Sequence, residues 1–182
     1  GMARGLLSNT ELPIYRHSRK QALRETDLVI LAGVPCDFRL DYGRHINHKA
    51  SIISINLSKR DLYLNRKPTQ GILEDPGLYL INLSQTYKQN DWKNWHDILM
   101  NLDQHRNDEI SHQAEGKTEF INPLKICRAI NRHIEAGDII VADGGDFVAT
   151  ASYILQPRSL IGWLDAGVFG TLGVGAGFII GA

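Results

Sequence analysis

Asp138-Ile-Ile-Val-Ala-Asp-Gly-Gly-Asp-Phe147 decides how this chain is read. An unbroken apolar run leads straight into a pair of glycines. Apolar residues without alternation describe a strand buried on both faces, as in a parallel sheet. The residues from Val148 to Leu155 can follow as a helix. Strand, glycine turn and helix together offer free backbone N–H groups to phosphate oxygens. The carboxylates of Asp143 and Asp146 could instead hold a divalent cation. We favour the simpler view that Asp146 turns its side chain aside as a cap for the helix.

Downstream runs Trp163-Leu-Asp-Ala-Gly-Val-Phe-Gly-Thr-Leu-Gly-Val-Gly-Ala-Gly-Phe-Ile-Ile-Gly-Ala182, which begins loop-like and turns apolar. Gly173, Gly177 and Gly181 would form one smooth stripe on a helix, where another backbone can come close. Each glycine costs a helix roughly 1 kcal/mol relative to alanine, so something is expected to fit tightly here. Three readings compete. A membrane span needs about 20 apolar residues, and the run from Val168 is shorter. A dinucleotide loop needs a strand leading into G-x-G-x-x-G, and that spacing is not met. A cofactor-cradling loop running into a buried helix is the reading we favour.

Upstream, the chain alternates helix and strand. Arg16 to Glu25 is helix-prone, with Ala22 and Leu23 as a narrow apolar face. Leu28-Val-Ile-Leu-Ala32 and Ile52-Ile-Ser-Ile55 read as strands buried on both sides, the first ended by Gly33-Val-Pro35. Asp75-Pro76 and Asn122-Pro123 each put a capping side chain before a proline at the first helical position. The first of these helices carries Leu80, Leu83 and Tyr87 at helical spacing. The second carries Cys127, Ile130 and Ile134 and ends at Ala136-Gly137. Between them Asn90-Asp91 starts a helix with Trp92, Trp95, Leu99 and Leu102 on one face. Its tryptophans read as packing anchors. The polar run from Asp103 to Lys117 reads as a linker with helical ends, and the domain boundary is expected inside it. This is the pattern of an α/β protein.

Composition narrows the function classes. The chain has 182 residues, with 20 Lys and Arg against 20 Asp and Glu. A net charge near zero gives no footprint for nucleic acid or another polyanion. Cys36 and Cys127 lack a C-x-x-C partner and read as reduced, buried thiols. The 7 histidines are scattered, without the spacing of a zinc site. No serine sits in a G-x-S-x-G elbow. Gly1-Met-Ala-Arg-Gly-Leu-Leu7 has no apolar core of signal-peptide length. Both ends are expected to be cut from a longer chain. Gly1 to Gly5 resembles an internal glycine-rich turn, and Phe178 to Ala182 is an apolar helix start without polar follow-up.

Phe169-Gly-Thr-Leu-Gly-Val-Gly-Ala-Gly-Phe-Ile-Ile-Gly-Ala182 resembles the G-[TS]-[MLI]-G-x-G-x-[PG] segment of thiamine-diphosphate-dependent enzymes. These include acetolactate synthases, oxalyl-CoA decarboxylases and 2-hydroxyacyl-CoA lyases. Gly177 stands near the family's proline. Asp143-Gly-Gly-Asp-Phe-Val-Ala-Thr150 and Gln156-Pro-Arg158 fall where the family has its first cofactor loop. The resemblance covers nearly the whole chain and is nearest to the animal acetolactate synthase-like, or 2-hydroxyacyl-CoA lyase, branch.

That resemblance implies an organisation. Residues 1–88 would be the later part of a central three-layer, parallel-sheet domain. Residues 89–118 would be a helical linker, and residues 119–182 the start of a second α/β domain that binds thiamine diphosphate. Gly145, Asp146 and Phe147 would touch the diphosphate, largely through backbone. In acetolactate synthases a glutamine and a histidine take the last two places. The Gly170 carbonyl would accept a hydrogen bond from the cofactor's 4′-amino group. The Leu172 N–H would meet a pyrimidine nitrogen, with its side chain wedged under the bent cofactor and Thr171 between the two.

A nucleotide groove is implied at Gly33, Cys36, Asp37, Phe38 and Arg39, with Asn56 and Leu57 after the second strand. FAD, ADP or coenzyme A would be its ligand. Asn56 stands where the family often has an acidic residue, and no glycine-rich phosphate loop is present as such. Asp37 to Arg39 is equally well a solvated loop.

The catalytic glutamate and the Gly-Asp-Gly magnesium motif are expected outside this chain, so neither catalytic nor metal-ligating residues are assigned within it. The implied activity is cleavage of 2-hydroxyacyl-CoA to an aldehyde and formyl-CoA. Condensation of 2-oxo acids, or a non-catalytic nucleotide-binding module, are the alternatives. A homo-oligomer is implied, and the animal branch implies an association with the endoplasmic reticulum membrane.

Overall fold

The computed structural model describes residues 17–88, 91–159 and 161–182. The glycine-rich turn expected at Gly1 to Gly5 lies outside them, as do Arg16 and Asn90. The chain divides into two compact units, Ser18–Leu99 and Met100–Ala182, with His17 grouped in the second. Both are built of helices and parallel strands, the α/β class expected from the sequence.

In the first unit, helix α1 (Arg19–Glu25) leads into strand β1 (Leu28–Ala32). Strands β2 (Ser51–Asn56) and β3 (Gln70–Leu73) complete a parallel sheet in the order β1-β2-β3, with Val29 opposite Ile52 and Ile55 opposite Ile72. The short helix α2 (Lys59–Leu62) lies between β2 and β3, capped by the Ser58 hydroxyl. Helix α3 (Pro76–Thr86) follows, with Asp75 Oδ1 accepting from Leu78 N at 3.0 Å.

Two expectations are corrected here. β1 is not buried on both faces: Val29 and Leu31 are 7% exposed, but Leu28 and Ile30 are 43% and 40% exposed. The covered face packs on Cys36, Ile46, Ala50 and Ile52, with Leu23 and Leu40 at its margin. The inward face of α3 is also not Leu80, Leu83 and Tyr87. Leu80 and Tyr87 are exposed, whereas Pro76, Tyr79 and Leu83 are half-buried. Pro76 sits over Gly33, where a Cβ would stand 3.3 Å from Pro76 Cγ.

Helix α4 (Lys93–Glu115) is one continuous element, so the polar run after Asp103 is helical through Glu115 and not only at its ends. A polar stretch without caps or breakers simply continues the helix, and i,i+4 contacts such as Gln104 with Asp108 support it. Leu99 is buried and Trp95 and Leu102 half-buried, while Trp92 is exposed. No helix among the described residues is long and apolar enough to cross a membrane.

The second unit packs helix α5 (Pro123–Asn131) and helix α6 (Asp146–Ile154) with a parallel pair of strands. These are β4 (Ile140–Ala142) and β5 (Trp163–Asp165). Its core is Ile110, Cys127, Ala151, Ile154, Leu155 and Trp163, each large apolar member stabilising by about 1.5–3 kcal/mol. α5 stops at Asn131, earlier than Ala136-Gly137. Cys127 and Ile134 do face the core, but Ile130 is 45% exposed. Helix α7 (Gly175–Gly181) closes the chain.

Candidate functional site

β4 and β5 run side by side in parallel, with Ala142 opposite Asp165. The loops that leave their carboxyl ends therefore emerge next to each other, where a parallel sheet leaves its crevice. One loop is Asp143 to Gly145, leading into α6. The other runs from Ala166 to Val174, leading into α7. Each begins on an aspartate that holds its own loop. Asp165 Oδ1 accepts from Gly167 N at 2.8 Å, and its Oδ2 from the Trp163 indole N–H at 2.7 Å. Asp143 Oδ1 accepts from Gly144 N at 2.7 Å.

Asp143 also reaches the other loop. The same oxygen accepts from Gly173 N at 2.8 Å and Val174 N at 3.2 Å. The Gly144 N–H, followed by those of Gly175, Gly173 and Val174, holds the Asp143 carboxyl below its ordinary range. The two loops touch as well. A Cβ built on Gly144 would stand 2.5 Å from Leu172 Cδ2 and 2.6 Å from the Thr171 carbonyl oxygen. Only glycine lets these backbones approach so closely. Gly145, with φ 98° and ψ −179°, occupies a region that side chains other than hydrogen do not enter.

Of the residues singled out from the sequence for the cofactor, Gly145, at the head of α6, lies beside Leu172. Leu172 is 70% exposed and Phe169 87% exposed, so neither is a core residue of this unit. Gly170 takes a left-handed φ of 57° with open space where a side chain would be. Among the described residues, no hydrogen bond engages the Gly170 carbonyl or the Leu172 N–H.

Several expectations change. Asp146 is the first residue of α6 and not its cap; the cap position is Gly145, which has no side chain to donate or accept. Gln156 to Arg158 follows the far end of α6, away from Gly145; Gln156 N donates to Asn131 Oδ1 instead. The glycine stripe is not continuous. Gly173 lies before α7 at φ 86°, and a Cβ on Gly177 or Gly181 would meet nothing within 4 Å. Only Gly175 is buried, against Asp143. The residue that reading from sequence missed is Asp143. An aspartate directly between a strand and a glycine pair was the available signal.

The groove residues of the first unit gather at the carboxyl ends of β1 and β2. Gly33 N donates to Ile55 O at 2.8 Å, which sets Gly33 beside the Asn56-Leu57 turn. Cys36 is buried, and burial pushes its thiol up, as it does that of Cys127. Asn65 Nδ2 donates to the Cys36 carbonyl at 2.9 Å. Asp37 and Arg39 face each other in a two-pronged pair, with contacts of 2.7 and 3.0 Å. The Arg39 guanidinium holds the Asp37 carboxyl low. Phe38 and Leu57 are 58% and 70% exposed, and Asn56 Oδ1 accepts from Ser58 N at 3.0 Å. Among the described residues no cluster of His, Cys, Asp and Glu could hold a metal ion.

No protein-family model matches the chain. Whole relatives do. The chain is 45% identical to the 2-hydroxyacyl-CoA lyase 2 of Xenopus laevis and 44% identical to that of Danio rerio, in each case over 100% of this chain and 30% of the relative. Along its whole length the chain is similar to 2-hydroxyacyl-CoA lyases and, more weakly, to acetolactate synthases. These are among the enzymes whose glycine-rich segment the tail resembles. The acetolactate synthase large subunit IlvG of Mycobacterium tuberculosis is more distant, at 26% identity over all of this chain and 33% of its own. The chain spans about 30% of the length of the lyases it matches.

Proposed function

We propose that this chain supplies the thiamine-diphosphate grip of an enzyme that cleaves 2-hydroxyacyl-CoA to an aldehyde and formyl-CoA. The observation that carries the reading is the meeting of Gly144 and Leu172, which joins the loops after β4 and β5. Identity to named lyases along the whole chain supports the substrate class.

The residues present suit such a cofactor. The Gly144 cradle leaves no room for a side chain, and the head of α6 offers N–H groups with the positive end of a helix dipole. The Gly170 carbonyl and Leu172 N–H are an acceptor and a donor for an aminopyrimidine edge. When bound, thiamine diphosphate supplies the carbon nucleophile and the electron sink for breaking the carbon–carbon bond. The chain's own task is placement. Gly145 and Phe147 contribute backbone N–H groups to an anion, Gly170 and Leu172 orient a ring, and Phe169 and Leu172 exclude water. Asp146 brings a like charge toward a diphosphate, so its side chain is best placed away from it. Magnesium would be held by residues other than those described here.

Condensation of 2-oxo acids is the second reading, supported by the likeness to an acetolactate synthase large subunit. A bound nucleotide or coenzyme A at Gly33 to Arg39 rests on the gathering of that loop beside Asn56.

Thermal unfolding of the full-length protein tests the proposal. Thiamine diphosphate with magnesium is expected to raise Tm by mass action, and the lyase reaction is expected with 2-hydroxyacyl-CoA. An unchanged Tm with the cofactor, alongside a rise with ADP or coenzyme A, would favour a nucleotide-binding module instead.

A further inference from the structure

Leu172 can act on a ring only if its loop stays where it is, and that loop is poorly held by itself. Gly170 and Gly173 both have left-handed φ values, and Thr171, Leu172 and Gly173 are exposed. Glycines at such positions leave the chain many alternative paths. Among the described residues, the hydrogen bonds that tie Thr171 to Val174 to the β4 side of their unit end on Asp143, through Gly173 N and Val174 N, while the Val174 carbonyl accepts from Phe178 N at the start of α7. The remaining tie is the packing of Leu172 and Thr171 on Gly144, the next residue along from Asp143.

We propose that Asp143 is the positioning residue of this site: its carboxylate fastens the Thr171–Val174 turn onto the Gly144–Gly145 turn and thereby sets Leu172. Hydrogen bonds to an ionised acceptor are shorter and roughly twice as strong as neutral ones. One oxygen here collects three N–H groups from two loops, the most distant 31 residues away. The aspartate arm is the right length because Gly175 leaves room for it: a Cβ there would stand 3.2 Å from Asp143 Oδ2. Asp143 is not proposed to touch the cofactor. Its charge is spent on the protein's own backbone.

The inference rests on reading the two loops as a thiamine-diphosphate grip, and the test separates the two claims. Asp143→Ala and Asp143→Asn are made in the full-length enzyme. Three quantities are followed: hydrogen-exchange protection of the Gly173 and Val174 amides without cofactor, Kd for thiamine diphosphate in magnesium, and kcat against KM for 2-hydroxyacyl-CoA. Asp143→Ala is expected to remove the protection, weaken cofactor binding by about tenfold or more and lower kcat on the order of tenfold to a hundredfold, the scale of a misplacement near 1 Å. KM is expected to hold. Asp143→Asn keeps an acceptor oxygen and is expected to recover most of each loss. Should Asp143→Ala not fold, Asp143→Glu decides, since it keeps the charge but moves the oxygens by one methylene; the same losses are expected from it. Wild-type protection and cofactor affinity in the folded variant would overturn the assignment. Failure of the wild-type enzyme to bind thiamine diphosphate would instead overturn the grip, while the amide protection still reports whether Asp143 fastens the turn.

Discussion

Asp143 Oδ1 and Gly173 N meet at 2.8 Å across 30 residues of chain. The contact binds the turn after β4 to the turn before α7, and the cofactor reading depends on those two turns sharing one place.

The tightest point of that junction is Gly144. Alanine there would press on the Thr171 carbonyl, which is backbone and cannot swing aside as a side chain can. Gly144→Ala is expected to destabilise the second unit by about 1–3 kcal/mol. Urea unfolding of the full-length protein measures this, and a variant with an unchanged midpoint would mean that the loops do not pack as described.

Leu172 presents the opposite case. At 70% exposure it adds little to folding, so Leu172→Ala is expected to change stability by no more than about 0.5 kcal/mol. Turnover of the full-length enzyme is expected to fall at least about tenfold, because a positioned wedge is lost. Equal activity in the variant would remove Leu172 from the site.

Asp143 makes stability depend on acid. Its folded pKa is depressed, chiefly by the Gly144 N–H and then by those of Gly175, Gly173 and Val174. A depressed carboxyl contributes its full stability above its unfolded value, about 3.9, and loses it as pH falls through the folded value. The difference in unfolding midpoint between the wild type and Asp143→Asn is therefore expected to be constant above about pH 5 and to shrink below pH 4. A difference that grew in acid would contradict the sign.

Cys36 and Cys127 are 4% and 0% exposed, and burial pushes both thiols up. Neither offers an accessible thiolate near neutral pH. A thiol reagent is expected to leave both unlabelled in the folded protein and to label both in urea, which mass spectrometry of the two peptides can read.

Helix starts were the most legible part of the fold. Asp75 and Asn122 cap as their side-chain chemistry requires, because capping is a local interaction of adjacent residues. The long apolar runs gave β1 and β2 for the same reason. Two strands were not anticipated. β3 is four residues with a glycine inside it, and β5 is the three residues Trp163–Asp165. Such short strands exist only because a neighbour pairs with them, and pairing is not a local property. The inward faces of α3 and α5 were misjudged because 3.6-residue spacing allows several apolar stripes, and tertiary contacts select one. In the site, the pairing of the Gly145 turn with the Leu172 loop was legible through the resemblance to a family, and the glycine stripe was not. Asp143's reach to Gly173 was not, because a side chain's partner thirty residues away leaves no mark in the local pattern.

The last helix draws a consequence from Gly175. Its seven residues include three glycines, far too weak a sequence to hold a helix by itself. Exchanging Gly175 for a better helix former would put a Cβ 3.2 Å from Asp143 Oδ2 and press on the anchor, whereas Gly177 and Gly181 have open space for one; as it stands, the helix leans on the Asp143 turn. Its amides should therefore open together with those of the Asp143 turn, as one cooperative patch, at a rate set by that turn and not by the helix.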